Sequence, residues 1–375
     1  MTDLSLYIHI PWCLKICPYC DFNTYKLKKY DSKIRYIKHL IQDLKTHSNI
    51  TKQRNIKTIF IGGGTPSLLN SNMLKYLLNT IKENISYNRT IEITIEVNPE
   101  TVTIEKILDY IKCGINRFSF GVQTFNPTLL KLLGRTHSPE KTICLLYEIQ
   151  KYNTINFNID LMYGIPQQTL HNCLSDLETA ILINPQHISW YQLSIEKNTI
   201  FYYQQPMLPT ESKIWAMYKQ GNSLLIQSKY QRYEISSYSR NHNICLHNMN
   251  YWKFGDYLGI GCGAHSKITK QNGDIIRITK KKRLYEYCHK SQKYTAEIIK
   301  IPDQEKPVEY FMNVCRLLQP IKKTDFKLYT RLKLHNIQNN IQHAVFKKYI
   351  LEKDKYWYIT QKGRDFLNDL IMLFI

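Results

Sequence analysis

Three cysteines crowd the end of one apolar strand, and that crowding limits what the chain can fold into. Residues 5–10 (Ser5-Leu6-Tyr7-Ile8-His9-Ile10) have the alternation of a strand. Pro11-Trp12 then leads into Cys13-Leu14-Lys15-Ile16-Cys17-Pro18-Tyr19-Cys20. The spacing is Cys, three residues, Cys, two residues, Cys. The chain has ten cysteines in 375 residues; the other seven are scattered and read mostly as small buried hydrophobes. Clustered thiols in a long chain with no charged-then-apolar leader point to metal or redox chemistry in a reducing compartment, not to a disulfide framework. No apolar run approaches the ~18 residues of a membrane span. A soluble, cytoplasmic protein is expected.

Strand patterns at 5–10, 57–61, 91–97, 117–122, 155–162 and 187–193 alternate with helical patterns at 32–46, 70–81, 103–113, 128–133, 140–151 and 170–183. Asn70 or Ser71 suits the N-cap of the second helix, and Gly114 ends the third. Six strand–helix units in about 190 residues predict a parallel sheet with helices outside it. Six is short of the eight in a closed barrel, so an α/β fold with an open, partial (β/α)6 barrel is the first expectation and a doubly wound sheet the second. Residues 91–97 alternate strictly, with Glu92, Thr94 and Glu96 on one face, which predicts a half-buried strand with a solvent-facing side. The rhythm stops after Glu196. The expected division is a partial barrel over 1–200, a mixed α/β extension over 201–300 and a small winged-helix-like appendage over 301–375.

Three thiolates fill three corners of a metal site. A structural zinc site takes four protein ligands, and His9 or a remote cysteine would have to be the fourth. An iron–sulfur cluster on three cysteines keeps one iron open to an outside molecule. Cys17-Pro18-Tyr19-Cys20 alone reads as a redox pair, which leaves Cys13 unexplained. Gly62-Gly63-Gly64-Thr65-Pro66 follows the second strand and permits positive φ and close backbone approach. It lacks the Gly-Lys-Ser/Thr ending of a nucleotide P-loop, and by itself it is also an ordinary strand-to-helix turn. Glu96, Gln123 and Asp160 sit near the C-terminal ends of successive strands, where a barrel-like fold places its active site. Arg135 follows a short helix in Leu133-Gly134-Arg135-Thr136-His137.

Tyr7-Ile8-His9-Ile10-Pro11-Trp12-Cys13, the cysteine spacing, the glycine-rich turn and the strand-end residues together resemble the radical S-adenosylmethionine (SAM) enzymes. The similarity is to the branch that contains oxygen-independent coproporphyrinogen III oxidase and a group of haem chaperones. It covers roughly residues 4–200 firmly and the rest more loosely, through Glu309-Tyr310-Phe311-Met312-Asn313 and the closing helix after Gly363. The resemblance implies a [4Fe-4S] cluster on Cys13, Cys17 and Cys20, with SAM chelating the fourth iron and cleaved by one electron to a 5′-deoxyadenosyl radical. It also implies a SAM site made of Tyr7, Tyr19, Gly63, Gly64, Thr65, Glu96, Gln123, Arg135 and Asp160.

Two departures bear on substrate. The oxidase motif has a fourth cysteine two positions after the third, where this chain has Phe22. The oxidase also carries an N-terminal arm, whereas here the first strand starts close to Met1. Both departures match the chaperone group. His247-Asn248-Met249-Asn250-Tyr251-Trp252 resembles that group's His-Asn-x-x-Tyr-Trp signature and makes His247 a candidate haem ligand; it also reads as a packed aromatic turn. Cys245 is an alternative ligand, and His265 a candidate lining residue. There is no Cys-x-x-Cys-His for covalent haem. The expected function is a haem chaperone that binds haem, a cluster and SAM and hands haem to an acceptor protein, served by an unidentified electron donor. The alternative is SAM-dependent oxidative decarboxylation of coproporphyrinogen III. A net charge of +21 would suit a zinc-stabilised nucleic-acid binder. The lysines are spread, however, with one tight cluster at Lys280-Lys281-Lys282-Arg283 and no recognition motif, so no nucleic acid is expected. A transient contact with a membrane protein is compatible with the acceptor role.

Overall fold

The computed structural model describes residues 3–52, 54–85, 87–289 and 293–375. Six strands lie side by side in chain order, each parallel to the next: β1 (Leu4–Ile10), β2 (Ile56–Gly63), β3 (Tyr87–Val97), β4 (Arg117–Gln123), β5 (Asn156–Tyr163) and β6 (His187–Gln192). Between them run α1 (Lys33–Thr46), α2 (Ser71–Asn84), α3 (Ile104–Lys112), α4 (Pro127–Leu132), α5 (Pro139–Gln150) and α6 (Leu170–Ile183). Asn70 caps α2, its side chain accepting from the Met73 N–H. The strand order never reverses, so the open (β/α)6 arrangement forms and the doubly wound alternative does not. The helices bury Leu40, Leu74, Leu77, Ile107, Leu146 and Leu177 against one face of the sheet, where they share a core with Leu6, Ile8, Ile59 and Phe120.

The second half of the chain extends this sheet at both edges. β7 (Gln231–Glu234) and β8 (Ser237–Ser239) form a hairpin whose β8 pairs antiparallel with β6. The hairpin turns at Ile235-Ser236. Beyond them α7 (Leu246–Trp252) leads into β9 (Asp256–Ile260), which lies parallel to β1 on its free side and makes a seventh parallel strand. β10 (His265–Thr269), β11 (Ile275–Lys280) and β12 (Thr295–Lys300) continue antiparallel, giving a sheet of twelve strands. β13 (Ile321–Lys322), β14 (Ile350–Lys353) and β15 (Tyr356–Ile359) make a separate three-stranded sheet. Its Trp357 packs against Phe311 and Phe326, with Phe374 stacked on Phe311 at a centroid distance of 3.7 Å. The closing helix is two short ones, Gln361–Asp365 and Leu367–Met372.

Polar side chains from two stretches lie inside the protein. The polar face of β3 is not in solvent. Glu92 and Thr94 are buried, because that face forms the inner wall of the curved sheet. Lys280, from the basic cluster, is fully buried and bonded to Asp43 and His47.

Another internal charge group fixes β9. Asp256 is 1% exposed. It accepts from Lys267 Nζ at 2.9 Å and from the Thr269 N–H at 2.7 Å, and it also pairs with Arg54. Removing the carboxylate strands two buried cations, a loss of about 3–5 kcal/mol for a broken buried pair. Asp256→Ala should therefore lower the urea unfolding midpoint far more than Lys57→Ala, which removes an exposed ion pair to Asp3.

Candidate functional site

The cysteine loop leaves β1 at Ile10 and is gripped from two sides. Its first residues, Trp12–Cys13, pair with Tyr25–Lys26, and a turn closes where the Cys20 N–H donates to the Cys17 carbonyl at 3.1 Å. On one side the Phe201 N–H donates to the Pro18 carbonyl at 2.9 Å. There Tyr19 rests on a cluster of Leu129, Leu133, Met162, Ile165, Leu193 and Phe201. Gly134 packs so tightly that a Cβ on it would stand 2.7 Å from the Pro18 ring. On the other side the glycine turn latches onto the loop backbone. The Gly64 N–H donates to the Ile10 carbonyl and the Thr65 N–H to the Trp12 carbonyl, both at 2.7 Å. A Cβ on Gly64 would lie 2.6 Å from the Trp12 oxygen, and Gly63 adopts φ +114°. These glycines are required by loop-on-loop packing as well as by any ligand.

The loop and the strand ends surround a cavity of about 610 Å³. Cys13, Cys17 and Cys20 line it, as do Tyr7, Tyr19, Gly63, Gly64 and Thr65. Glu96, Gln123 and Asp160 reach it from β3, β4 and β5, Arg135 from beyond α4 and His247 from α7. Every cofactor candidate read from the sequence thus faces one space. Three secondary candidates do not line it. His9 is held by the Tyr7 hydroxyl at 3.0 Å and the Asn23 carbonyl at 2.9 Å. Cys245 is fully buried against Glu92, and His265 is exposed on β10. The sequence reading missed Arg117, Ser119, Asn158, Ser189 and Tyr191 on the same wall. Stepping back by twos from Gln123 along β4 would have found Arg117 and Ser119, since alternate residues share a face.

The wall is polar and mostly paired. Glu96 accepts from the Gly63 N–H at 3.0 Å. Burial, then the nearby Asp160 charge, pushes its carboxyl up to about 8 against the effect of that N–H. Asp160 accepts from Ser119 Oγ at 3.0 Å and Asn158 Nδ2 at 2.8 Å, and burial raises it too. The Tyr191 hydroxyl donates to Gln123 Oε1 at 2.8 Å. Arg135 donates to the Tyr19 hydroxyl at 3.3 Å, while its buried Nε has no partner. Burial raises the Cys13 thiol and pushes Cys20 up to about 11. Among the described residues no three His, Cys, Asp or Glu side chains converge as a single metal ion would require; the thiols share a wall without meeting at a point.

His247 lies at one end of the space, 1% exposed and stacked on Phe60 with ring centroids 5.0 Å apart. Its backbone N–H and that of Leu246 donate to the Glu92 carboxylate at 3.0 and 2.9 Å, which pins the start of α7 to β3. Thr58 donates its hydroxyl to Ser5, so it accepts from the His247 Nδ1–H at 2.8 Å. Nε2 therefore carries the lone pair, which takes the Tyr251 hydroxyl proton at 3.0 Å. Burial, aided by Arg117, pushes the imidazole down to about 3, so it is neutral.

A sequential parallel sheet with three thiols at the end of its first strand defines a radical SAM protein, and the Radical SAM superfamily model matches residues 7–180. Coproporphyrinogen III oxidase (HemN) from Escherichia coli, described as a radical SAM enzyme, superposes with a TM-score of 0.85. It covers 100% of this chain and 90% of that one at 23% identity, a likeness of fold. Sequence relatives go further. The chain is 48% identical to Heme chaperone HemW of Buchnera aphidicola subsp. Schizaphis graminum, over 100% of this chain and 99% of that protein. It is 43% identical to Heme chaperone HemW of Escherichia coli K12, over 100% and 99%. The Bacillus subtilis protein of the same name is 35% identical over 70% of this chain and 71% of its own. The chain belongs to the HemW family. Membership of the superfamily implies a [4Fe-4S] cluster and SAM.

The raised Glu96 carboxyl has a measurable consequence in the ligand-free protein. Its folded-state value of about 8 lies above the ordinary 4.5. Between these the folded chain holds a proton that the unfolded chain has released, so stability falls as pH rises through that window. Urea midpoints of wild type and Glu96→Gln should diverge from about pH 4.5 to about pH 8, the variant losing less.

Proposed function

We propose that Cys13, Cys17 and Cys20 hold a [4Fe-4S] cluster with SAM against it, and that the barrel carries haem for delivery to an acceptor protein. The convergence of thiols, glycine turn and polar strand ends on one cavity carries this reading. The donor set fits the group. Thiols spread around a wall suit a cluster with its own width better than one tetrahedral ion. Arg135, with its unpartnered Nε, puts a cation near Cys17, where bound thiolates would add negative charge. Bound there, the cluster and SAM would supply the superfamily's one-electron chemistry.

The chain's own residues bind and orient. The Gly63–Thr65 backbone and the Glu96 carboxyl flank the thiols and offer polar contacts to a small zwitterion. Tyr19 on its apolar cluster closes one side against water. The relatives' name supports haem as cargo. His247 is neutral, as an iron ligand must be, and the Tyr251 hydroxyl must turn aside before Nε2 can ligate. On this reading residues 1–200 carry cluster and SAM, 201–300 bring the haem-side helix and 301–375 form a separate C-terminal unit. The electron donor and haem acceptor are proteins met in the cytoplasm. No helix among the described residues is long and apolar enough to cross a membrane.

Anaerobic reconstitution with iron and sulfide tests the cluster. About four irons per chain are expected, lost in Cys17→Ser; stoichiometric zinc without sulfide would overturn the assignment. In haem titrations His247→Ala should weaken binding by about tenfold or more and alter the spectrum, whereas Tyr251→Phe should bind as well or better. An unchanged spectrum and affinity in His247→Ala removes that ligand. Robust SAM-dependent decarboxylation of coproporphyrinogen would replace the chaperone reading with the oxidase one.

A further inference from the structure

Arg117 opens β4 and lines the cavity at the end away from the thiols. Gln123, at the other end of the strand, is six residues on, roughly 20 Å along the wall. Arg117 is 2% exposed. Among the described residues no hydrogen bond or ion pair reaches its guanidinium, and its Nε is buried without a partner. The two carboxylates whose charge it feels are Glu92 and Asp160. Glu92 is taken up by the backbone of α7, and Asp160 by Ser119 and Asn158. Its other charge-sensing neighbours, Cys245, Tyr233, His187 and His247, are all held uncharged by burial.

An arginine keeps its charge at every pH a protein meets. Burying one without hydrogen bonds is costly, and its planar fork matches a carboxylate in two-point contact. The cavity-facing position leaves that fork open to a guest.

We propose that Arg117 anchors a carboxylate of the molecule carried in the barrel. Resting on the reading above, that carboxylate is a haem propionate. SAM is placed at the thiol rim, a strand's length away, whereas His247, the candidate iron ligand, lies within the electrostatic reach of Arg117. His247 and Arg117 line the same cavity, so one guest could take its iron ligand from α7 and its carboxylate anchor from β4.

The test measures two ligand pairs on wild type, Arg117→Gln and Arg117→Lys. The pairs are haem against haem dimethyl ester, and SAM against its decarboxylated analogue. Wild type should prefer haem to its diester by about tenfold or more, the scale of one charge-assisted contact. Arg117→Gln should erase that preference and Arg117→Lys keep part of it, with SAM selectivity unmoved in both. If only the SAM pair loses selectivity, the anchored carboxylate belongs to SAM and the cargo assignment falls. If neither pair changes, or if Arg117→Gln melts several degrees lower without ligand and keeps its haem preference, the guanidinium is structural and the proposal falls. Failure of wild type to bind haem at all overturns the chaperone reading instead, and the SAM pair still decides whether Arg117 holds a carboxylate.

Discussion

The carboxylate of Glu92 joins the two halves of this protein at the cavity. It rises from the third strand of the barrel and accepts two backbone N–H groups from the start of α7. Those donors belong to the first turn of a helix, which has no internal partners of its own. The bond therefore sets where α7 begins, and with it the positions of His247, Tyr251 and Trp252. A helix from residue 246 onward is fastened to a strand from residues 87–97, so the cavity has a wall from each half. The thiol rim depends on a comparable grip, with the Pro18 carbonyl held by the Phe201 N–H and the Ile10 and Trp12 carbonyls by the Gly64 and Thr65 N–H groups.

Charge is distributed unevenly along the inner wall. Near the rim, burial raises both Glu96 and Asp160, the Asp160 charge adding to the rise of Glu96, and Arg135 stands beside the cysteine loop. At the far end the Arg117 guanidinium is a cation within the electrostatic reach of Glu92, whose carboxylate is taken up by the backbone of α7. Serine and asparagine side chains on β4, β5 and β6 link these groups, so most of the polar surface is satisfied before anything binds. A wall arranged this way holds its shape when empty, as a site that binds by fixed geometry requires.

Much of this was legible from residue order alone. The period of strands and helices gave the six-unit rhythm, because each parallel strand is a short apolar run followed at once by its helix. The cysteine spacing and glycine turn gave the rim, since both are local. Three things were hidden, each by a contact between distant residues. Glu92 and Thr94 read as solvent-facing because alternation marks a polar face without saying whether water or a cavity lies beyond it. Lys280 read as part of a basic patch because Asp43, its partner, lies 237 residues away. Arg117 gave no signal because an arginine at a strand start is ordinary until its surroundings are known.

β9 was hidden in the same way, and its position has a consequence for how the chain is made. Leu4 pairs with Asp256 and Ile8 with Ile260. β1 leaves the ribosome long before β9 but is an interior strand of the finished sheet, so one of its edges stays bare until a segment some 250 residues later emerges. At about 5–20 residues per second that wait is roughly 10–50 s. Throughout it, an apolar strand with unpaired backbone groups sits directly before three thiols. Such an edge recruits other strands, so the order of synthesis makes the nascent chain a client for protection.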